Sequence, residues 1–496
     1  MTPNDAIAFS IGIPLLATLL ILLNRQYPNI REFVTMVMSA SLFLTVLNIL
    51  PSVMQGARPS VKFLEFFPGI SLGFEVEPLG MLFALIASGL WIVTTFYSIG
   101  YMRNHHEKNQ SRFYACFAIA ISSTMGICFS GNMLTLFIFY EMLTLSTYPL
   151  VAHHQTPEAK NAGRVYLGIL ISTSIGFLLL AILWTWILTG TLDFKNGGIL
   201  ADKVDGPIAG ILLFLYVYGI GKAALMPIHR WLPAAMVAPT PVSALLHAVA
   251  VVKAGVFSLV KVIVYIFGTD FLTNINQDDW LMYIAAFTVI SASCVALKKN
   301  NLKARLAYST ISQLAYIILG AALATSAGIL GSGLHIAMHA FGKITLFFCA
   351  GAILVAAHKT EISEMDGLGR RMPFTFLAFL IGSMSVIGLP PMGGAWSKWY
   401  LMVGSAEAGF IIFIIVLAVS SLLNVAYLLP IVGRAFFRPL KFVEPTNSND
   451  RKIVIKEAPG FCLLAMGITS FGCIVLFFYA DKIVKFLTPL IKISGQ

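Results

Sequence analysis

Runs of about twenty apolar residues recur along almost the entire chain, and this recurrence decides what it can fold into. Fourteen runs are delimited, over residues 5–23, 33–53, 78–101, 113–130, 132–152, 162–189, 207–226, 241–267, 280–297, 304–325, 327–357, 372–390, 409–433 and 459–480. As helices they rise by roughly 30 Å each, the apolar thickness of a bilayer. What remains is short connections, with no room for a sizeable soluble domain. The 496 residues are 58% hydrophobic and 11% charged, against about 25% charged in a soluble domain. A soluble enzyme, a disordered chain, a collagen-like fibre and a disulfide scaffold are thereby excluded. The fold expected is an all-α polytopic membrane protein with about fourteen transmembrane helices.

The chain carries 33 basic and 22 acidic residues, a net charge of +11. Loop asymmetry explains this excess better than nucleic acid, because cytoplasmic loops of membrane proteins collect lysine and arginine. On one side lie Arg25, Arg31, Arg103, Lys108, Arg112, Lys160, Arg164, Arg230, Lys298, Lys299, Lys303, Arg305, Lys359, Arg370, Arg371, Arg434, Arg438, Lys441, Arg451, Lys452 and Lys456. The other side has Arg58, Lys62, Lys195, Lys203, Lys482, Lys485 and Lys492. The richer side reads as the inside, which puts both termini outside. The acidic start of the chain lacks a cationic n-region, so no cleaved signal peptide is expected. All six cysteines sit within apolar runs and none forms a C-x-x-C pair. They read as packing residues rather than metal or cluster ligands; no metal and no cofactor is expected.

Two runs are interrupted. The seventh meets Pro227 and Pro233, and the twelfth meets Pro390, Pro391, Gly393 and Gly394 before resuming from Trp396 to Gly404. Broken helices at membrane depth persist where they are buried in protein or line a wet cavity. Runs four to eight and nine to thirteen form two candidate five-helix repeats, inverted because each unit has an odd number of spans, with one broken helix apiece. The organisation expected is N-terminal helices over 1–112, a first repeat over 113–267, a second over 280–438, and a loop with a last helix over 439–496.

Once loop charges are removed, five lysines and one acid remain inside the runs: Lys222, Lys253, Lys261, Lys343, Lys398 and Glu141. A charge at a helix centre costs about 2.5–3.5 kcal/mol on insertion scales, so such residues are functional unless they snorkel to the surface. Glu141 is central in its run, and Lys222 lies one turn before the first break; the two are expected to pair. His247 and Lys253 are roughly 9 Å apart along one helix, a gap for a bridging water. Lys261 is nearer the outer end, where snorkelling is the bland reading. His335, His339 and Lys343 share one helix face at i, i+4 and i+8, and Lys398 follows the second break. His229 is placed at the inner mouth. Imidazole titrates near neutrality, and lysine and glutamate reach that range when desolvated or paired. Alternating such groups gives a proton wire, whereas no cluster of aromatic and amide groups suggests an organic solute site.

These residues lie in segments that resemble a known family. GIGKAALMPIHRWLPAAMVAPTPVSALLHAVAVVKAGV (219–256), NMLTLFIFYEMLTLSTYPL, LKARLAYSTISQLAYIILG (302–320), LHIAMHAFGKITLFFCAG (334–351) and LPPMGGAWSKWYL (389–401) are similar to the antiporter-like membrane subunits of respiratory complex I and of Mrp-type multisubunit cation/proton antiporters. The resemblance implies fourteen helices, two inverted repeats, and broken helices seven and twelve. It implies an ion pair of Glu141 with Lys222, an inward link through His247 and Lys253, a central axis of His335, His339 and Lys343, and Lys398 as the last relay lysine. It also implies no redox centre, work within a larger complex, and a bacterial-type plasma membrane. Two features depart from the family. Ala234 stands in WLPAAM where many members have aspartate, and the chain ends soon after its last run, without the long lateral helix of the largest subunit type.

The function expected is proton translocation within a Mrp-type antiporter, with other membrane subunits as partners and protons, sodium or potassium as cargo. The same module driven by a redox partner, as in complex I or a membrane-bound hydrogenase, is the first alternative. Ion coupling in an inorganic-carbon uptake complex, a passive scaffold and a stand-alone solute carrier complete the set.

Overall fold

The computed structural model describes residues 1–67, 70–201, 203–275, 279–439 and 455–491. Lys441, Arg451, Lys452, Lys492 and the side chain of His247 lie outside the described residues.

Many of the helices begin where the sequence supplies a proline or a side-chain cap, and the first half of the chain runs as follows. α1 (Pro3–Leu23) and α2 (Pro28–Met54) lead into a hairpin of β1 (Ser60–Phe67) and β2 (Ile70–Glu75), then α3 (Pro78–Asn104), α4 (Gln110–Cys128) and α5 (Met133–Val151). α6 (Pro157–Thr173) passes through a π turn, Ser174–Leu178, into α7 (Leu179–Thr189). α8 (Gly206–Gly219), α9 (Trp231–Ala234), α10 (Thr240–Ala244), α11 (Val251–Lys261) and α12 (Thr269–Ile275) follow, with π turns at Leu245–Val249 and Val262–Phe267. The remainder is α13 (Asp279–Lys298), α14 (Leu302–Ala322), α15 (Ser326–Ala357), α16 (Pro373–Ile387), α17 (Gly394–Glu407), α18 (Ile411–Phe437) and α19 (Gly460–Leu487). Proline occupies the first turn of α1, α2, α3, α6, α8, α10 and α16, where its missing N–H costs nothing. Side-chain caps from Thr2, Glu77 and Thr156 reinforce α1, α3 and α6, and Asn132, Asn301 and Thr325 cap α5, α14 and α15.

Among the described residues, ten helices are long and apolar enough to cross a bilayer, and Val251–Phe267 with Thr269–Ile275, bent by 77°, makes an eleventh. Gly206–Gly219 and Pro373–Ile387 are shorter apolar helices. Large apolar side chains such as Phe9, Leu19, Leu44, Ile187, Phe287, Leu422 and Phe471 point outward, while Lys222, Lys253, Lys261, Lys343, Lys398, His335 and His339 are buried. That inversion is the signature of a chain whose solvent is lipid. α15 runs for 32 residues, roughly 48 Å, and packs on α14, α16, α17 and α19.

The hairpin departs from the purely helical expectation. β1 and β2 are antiparallel, with Ser60 opposite Glu75, and Phe74 packs edge-on against Phe63 and Phe139. Its second strand bonds the α4–α5 connection: Glu75 N–H donates to Phe129 O at 2.7 Å and Gly131 N–H to Gly73 O at 3.0 Å. The connection after α7 joins the same layer, since Phe194 N–H donates to Gly131 O at 3.0 Å. Segments between membrane helices thereby satisfy one another's backbone groups.

Candidate functional site: a buried row of lysines and histidines

Both interruptions are real, and the first begins earlier than the prolines suggest. α8 stops at Gly219, and Lys222 sits within the break, in a 3₁₀ turn over Gly221–Ala223, not one turn before it. Glycines at the break allow a neighbouring helix to pack closely. A Cβ on Gly219 would stand 2.4 Å from Leu178 N, and one on Gly221 would stand 2.5 Å from Thr173 Oγ1. The freed Gly221 carbonyl accepts from Trp231 Nε1 at 3.0 Å. At the second break α16 ends at Ile387, Gly388 takes φ +90°, and α17 starts at Gly394. Cis peptides Met226–Pro227 and Pro390–Pro391 lie in the two breaks.

Lys222 is fully buried. Its Nζ donates to Tyr140 O at 2.7 Å and Thr144 Oγ1 at 2.5 Å, and lies 3.1 Å from the centroid of the Tyr140 ring. The expected pair with Glu141 is not closed: both carboxylate oxygens of Glu141 are buried without a hydrogen-bond partner among the described residues. The ammonium is held one residue away, by the carbonyl preceding Glu141. α11 is pressed against this break, because a Cβ on Gly255 would stand 2.3 Å from Ala223 N.

From α11 the row crosses to α15. Lys253 Nζ and His339 Nδ1 are 2.6 Å apart, and both residues are buried. The His339 and His335 rings are 5.8 Å apart, as one helix face requires. His335 Nδ1 meets Ser397 Oγ of α17 at 2.8 Å and its ring stacks on Tyr316 at 5.7 Å. Next to Ser397, Lys398 donates to Ile387 O at 2.8 Å and Ser421 Oγ at 3.0 Å, with Nζ 4.9 Å from the Tyr316 ring centroid. Lys343 takes another branch: its Nζ donates to Ser309 Oγ at 2.6 Å, Ser309 Oγ lies 2.7 Å from Tyr427 OH and donates the serine proton to it, and Tyr427 OH donates its one proton to Asn424 Oδ1. The arrangement thus joins Lys253, His339, His335 and Lys398 through one serine and one tyrosine, sets Lys343 on a hydroxyl branch, and keeps Glu141 and Lys222 adjacent but unpaired. His229, half-buried, follows the first break with Nδ1 3.2 Å from Pro227 O and its ring 6.2 Å from Tyr308.

Lys261 does not snorkel. It is 1% exposed, its Nζ donates to Ser130 O at 2.8 Å, and it stands 3.6 Å from Glu77 Oε1 and 4.2 Å from the Phe194 ring centroid. Glu77 is itself 3% exposed and caps α3 through Leu79 N and Gly80 N at 2.7 and 2.9 Å, with Tyr265 OH 3.3 Å from its Oε2. Glu77 escaped the sequence reading because it immediately precedes an apolar run and counted as a flank. Losing one partner of a buried pair strands the other at a cost of about 3–5 kcal/mol, whereas removing both is far cheaper. Lys261→Met should therefore lower the thermal unfolding midpoint of the solubilised chain sharply, and adding Glu77→Gln should restore most of the loss. A double variant no better than the single one would show that the pair is not what holds this end together.

Fold and site together describe a polytopic helical membrane protein whose interior carries a row of buried lysine and histidine side chains. The chain belongs to the NADH:quinone oxidoreductase/Mrp antiporter transmembrane family, whose model matches residues 130–424. Residues 68–114 match the model for the N-terminus of complex I chain 5. It is 30% identical over 417 residues to NADH-quinone oxidoreductase subunit N of Desulforudis audaxviator (strain MP104C), covering 81% of this chain and 82% of that one. Two solved structures share the fold at a TM-score of 0.85. One belongs to the membrane-bound sulfane sulfur reductase, an archaeal respiratory complex, at 23% identity over 98% of this chain and 97% of the other. The other belongs to the Mrp complex from Dietzia sp. DQ12-45-1b, at 20% identity over 99% and 97%.

Proposed function

We propose that this chain is a proton-translocating antiporter-like subunit of a multisubunit membrane complex, with Glu141, Lys222, His247, Lys253, His335, His339, Lys343 and Lys398 as its relay and His229 at the inner mouth. The observation that carries this is the 2.6 Å contact between Lys253 and His339, which links two helices through titratable side chains at membrane depth. In this reading the chain crosses the membrane fourteen times, residues 113–267 and 280–438 are inverted repeats, and both termini face outward. Lys222, bonded to neutral oxygens beside an unpartnered carboxylate, can swing to Glu141 and back, and each exchange alters the charge felt by the row.

A redox-driven complex is the reading favoured for the assembly, since the relative sharing 30% identity over four fifths of both chains is named as a quinone oxidoreductase subunit. The Mrp-type antiporter is the second reading, supported by likeness of fold. Proton flux in vesicles bearing the whole complex tests the function, with donor and quinone or with a sodium gradient as the driving force. Glu141→Ala and Lys222→Ala should each lose at least about tenfold in flux while the complex still assembles. Unchanged flux in both assembled variants would sink the relay.

A further inference from the structure

At one end of the first four helices lies an open pocket of about 980 Å³ that the relay does not use. It forms where α1 ends, α2 begins, α3 ends and α4 begins, so its mouth lies just beyond the apolar stretches of all four. Four arginines line it: Arg25, Arg31, Arg103 and Arg112. Against them stand Glu107 in the wall and Glu32, which holds Arg103 through Nε at 3.0 Å and NH2 at 2.5 Å. Two positive charges are left in excess. His153 adds none: burial, with Arg112 and His154 nearby, pushes its pKa down to about 4, although Glu107 Oε2 is 3.7 Å away. Among the described residues both ring nitrogens lack a hydrogen-bond partner, which agrees with a neutral ring.

The pocket is built rather than incidental. Arg31 is 4% exposed and fixed from two sides, with NH1 on Ser111 Oγ at 3.0 Å, NH2 on Gln110 Oε1 at 2.8 Å, and its guanidinium 5.2 Å from the Tyr114 ring centroid. Its Nε, buried in the wall, has no hydrogen-bond partner among the described residues, and neither has Nε of Arg112, whose NH2 donates to His153 O at 2.8 Å. α4 opens into the same space. Its N-cap, Asn109, lies at φ 53° and makes no side-chain cap bond, so the first amide groups of this helix are left for an anion. The lining is apolar on one side, with Leu22, Ala115, Cys116 and Ile119, and Leu19, one turn before Leu22 on α1, is also outward-facing.

We propose that this pocket binds the phosphate of an anionic phospholipid at the membrane surface, against Arg25, Arg31, Arg112 and the start of α4, with an acyl chain laid along the α1–α4 groove. Basic pockets between membrane helices suit such headgroups. The apolar side is what a soluble phosphate would leave uncovered and a lipid tail fills.

The test uses the intact complex, delipidated and returned to nanodiscs of phosphatidylcholine with 20 mol% phosphatidylglycerol, bound lipid being counted by native mass spectrometry. Wild type should retain phosphatidylglycerol, and Arg25→Gln/Arg112→Gln should lose roughly tenfold in retention. Lys482→Gln, at an exposed helix end, should retain it like wild type. Arg25 is exposed, so Arg25→Gln alone keeps the test open if the double variant fails to assemble, with a smaller loss expected. Equal retention by wild type and the arginine variants would overturn the proposal. So would displacement of the lipid by millimolar inorganic phosphate, which would mark a soluble-anion site, or retention of phosphatidylcholine equal to phosphatidylglycerol.

Discussion

Proton flux through the assembled complex is expected to fall at least about a hundredfold in Lys253→Met, and equally in Lys253→Arg. Methionine keeps the length and the packing of the lysine stem but removes the proton. Arginine keeps the charge but does not give up its proton at any accessible pH. If the lysine only supplied a fixed positive field, arginine would rescue. If it hands a proton to His339, whose Nδ1 lies 2.6 Å away, neither substitution serves. Assembly should survive both, because Lys253 touches the row and not the outer face of the bundle. Full activity in either assembled variant would remove Lys253 from the path and leave α11 and α15 without a proton link.

The second large effect is steric. Gly394→Ala places a Cβ 1.9 Å from Ser385 O, a backbone atom of α16 that cannot turn aside. Overpacking of this kind costs about 1–3 kcal/mol or more. The strain falls on the start of α17, which carries Ser397 and Lys398, the partners of His335 and Tyr316. Loss of flux should therefore accompany a lower unfolding midpoint measured in lipid. Gly12→Ala is the matched control. Nothing lies within 4 Å of its added Cβ, and alanine favours helix over glycine, so stability should hold or rise slightly. A Gly394→Ala variant as stable and active as Gly12→Ala would mean that α16 and α17 separate freely.

How far the sequence alone reached follows from contrast. A lysine within an apolar run stands out against its neighbours, so Lys222, Lys253, Lys343 and Lys398 were legible as interior charges, and i, i+4, i+8 spacing put His335, His339 and Lys343 on one face. Hydroxyl groups carry no such contrast in membrane helices. Thr144, Ser309 and Ser421 hold lysines and Ser397 holds His335, yet nothing in their neighbourhood marks them. Pairing across helices was legible only as far as charge balance could suggest it. Balance pointed Lys222 to Glu141, while local geometry gave its Nζ to the Tyr140 carbonyl and Thr144. The partner of Lys261 was hidden by a boundary of one residue, Glu77 standing immediately before a run that starts at 78. The hairpin was missed because an alternating stretch such as SVKFLEFF is too short to compete with the long helical runs on either side, and its second strand gains support from the α4–α5 connection, far along the chain.

The three π turns, Ser174–Leu178, Leu245–Val249 and Val262–Phe267, all fall between residues 157 and 267, and among the described residues the helices from Asp279 onward contain none. A π turn closes its hydrogen bonds from i to i+5 and so houses one residue more than an α turn. Where helix continues on both sides, as at Ser174–Leu178 between α6 and α7, it is a spare residue stored inside a helix without disturbing the faces on either side. One deletion there lets the backbone close as ordinary α-helix with both flanks in phase. The same deletion in α15 would rotate everything beyond it by about 100° and take His335 and His339 off the face they share with Lys343. Tolerance to changes in chain length is therefore divided unevenly between the two broken-helix units, with the slack held in the first and the phase held in the second.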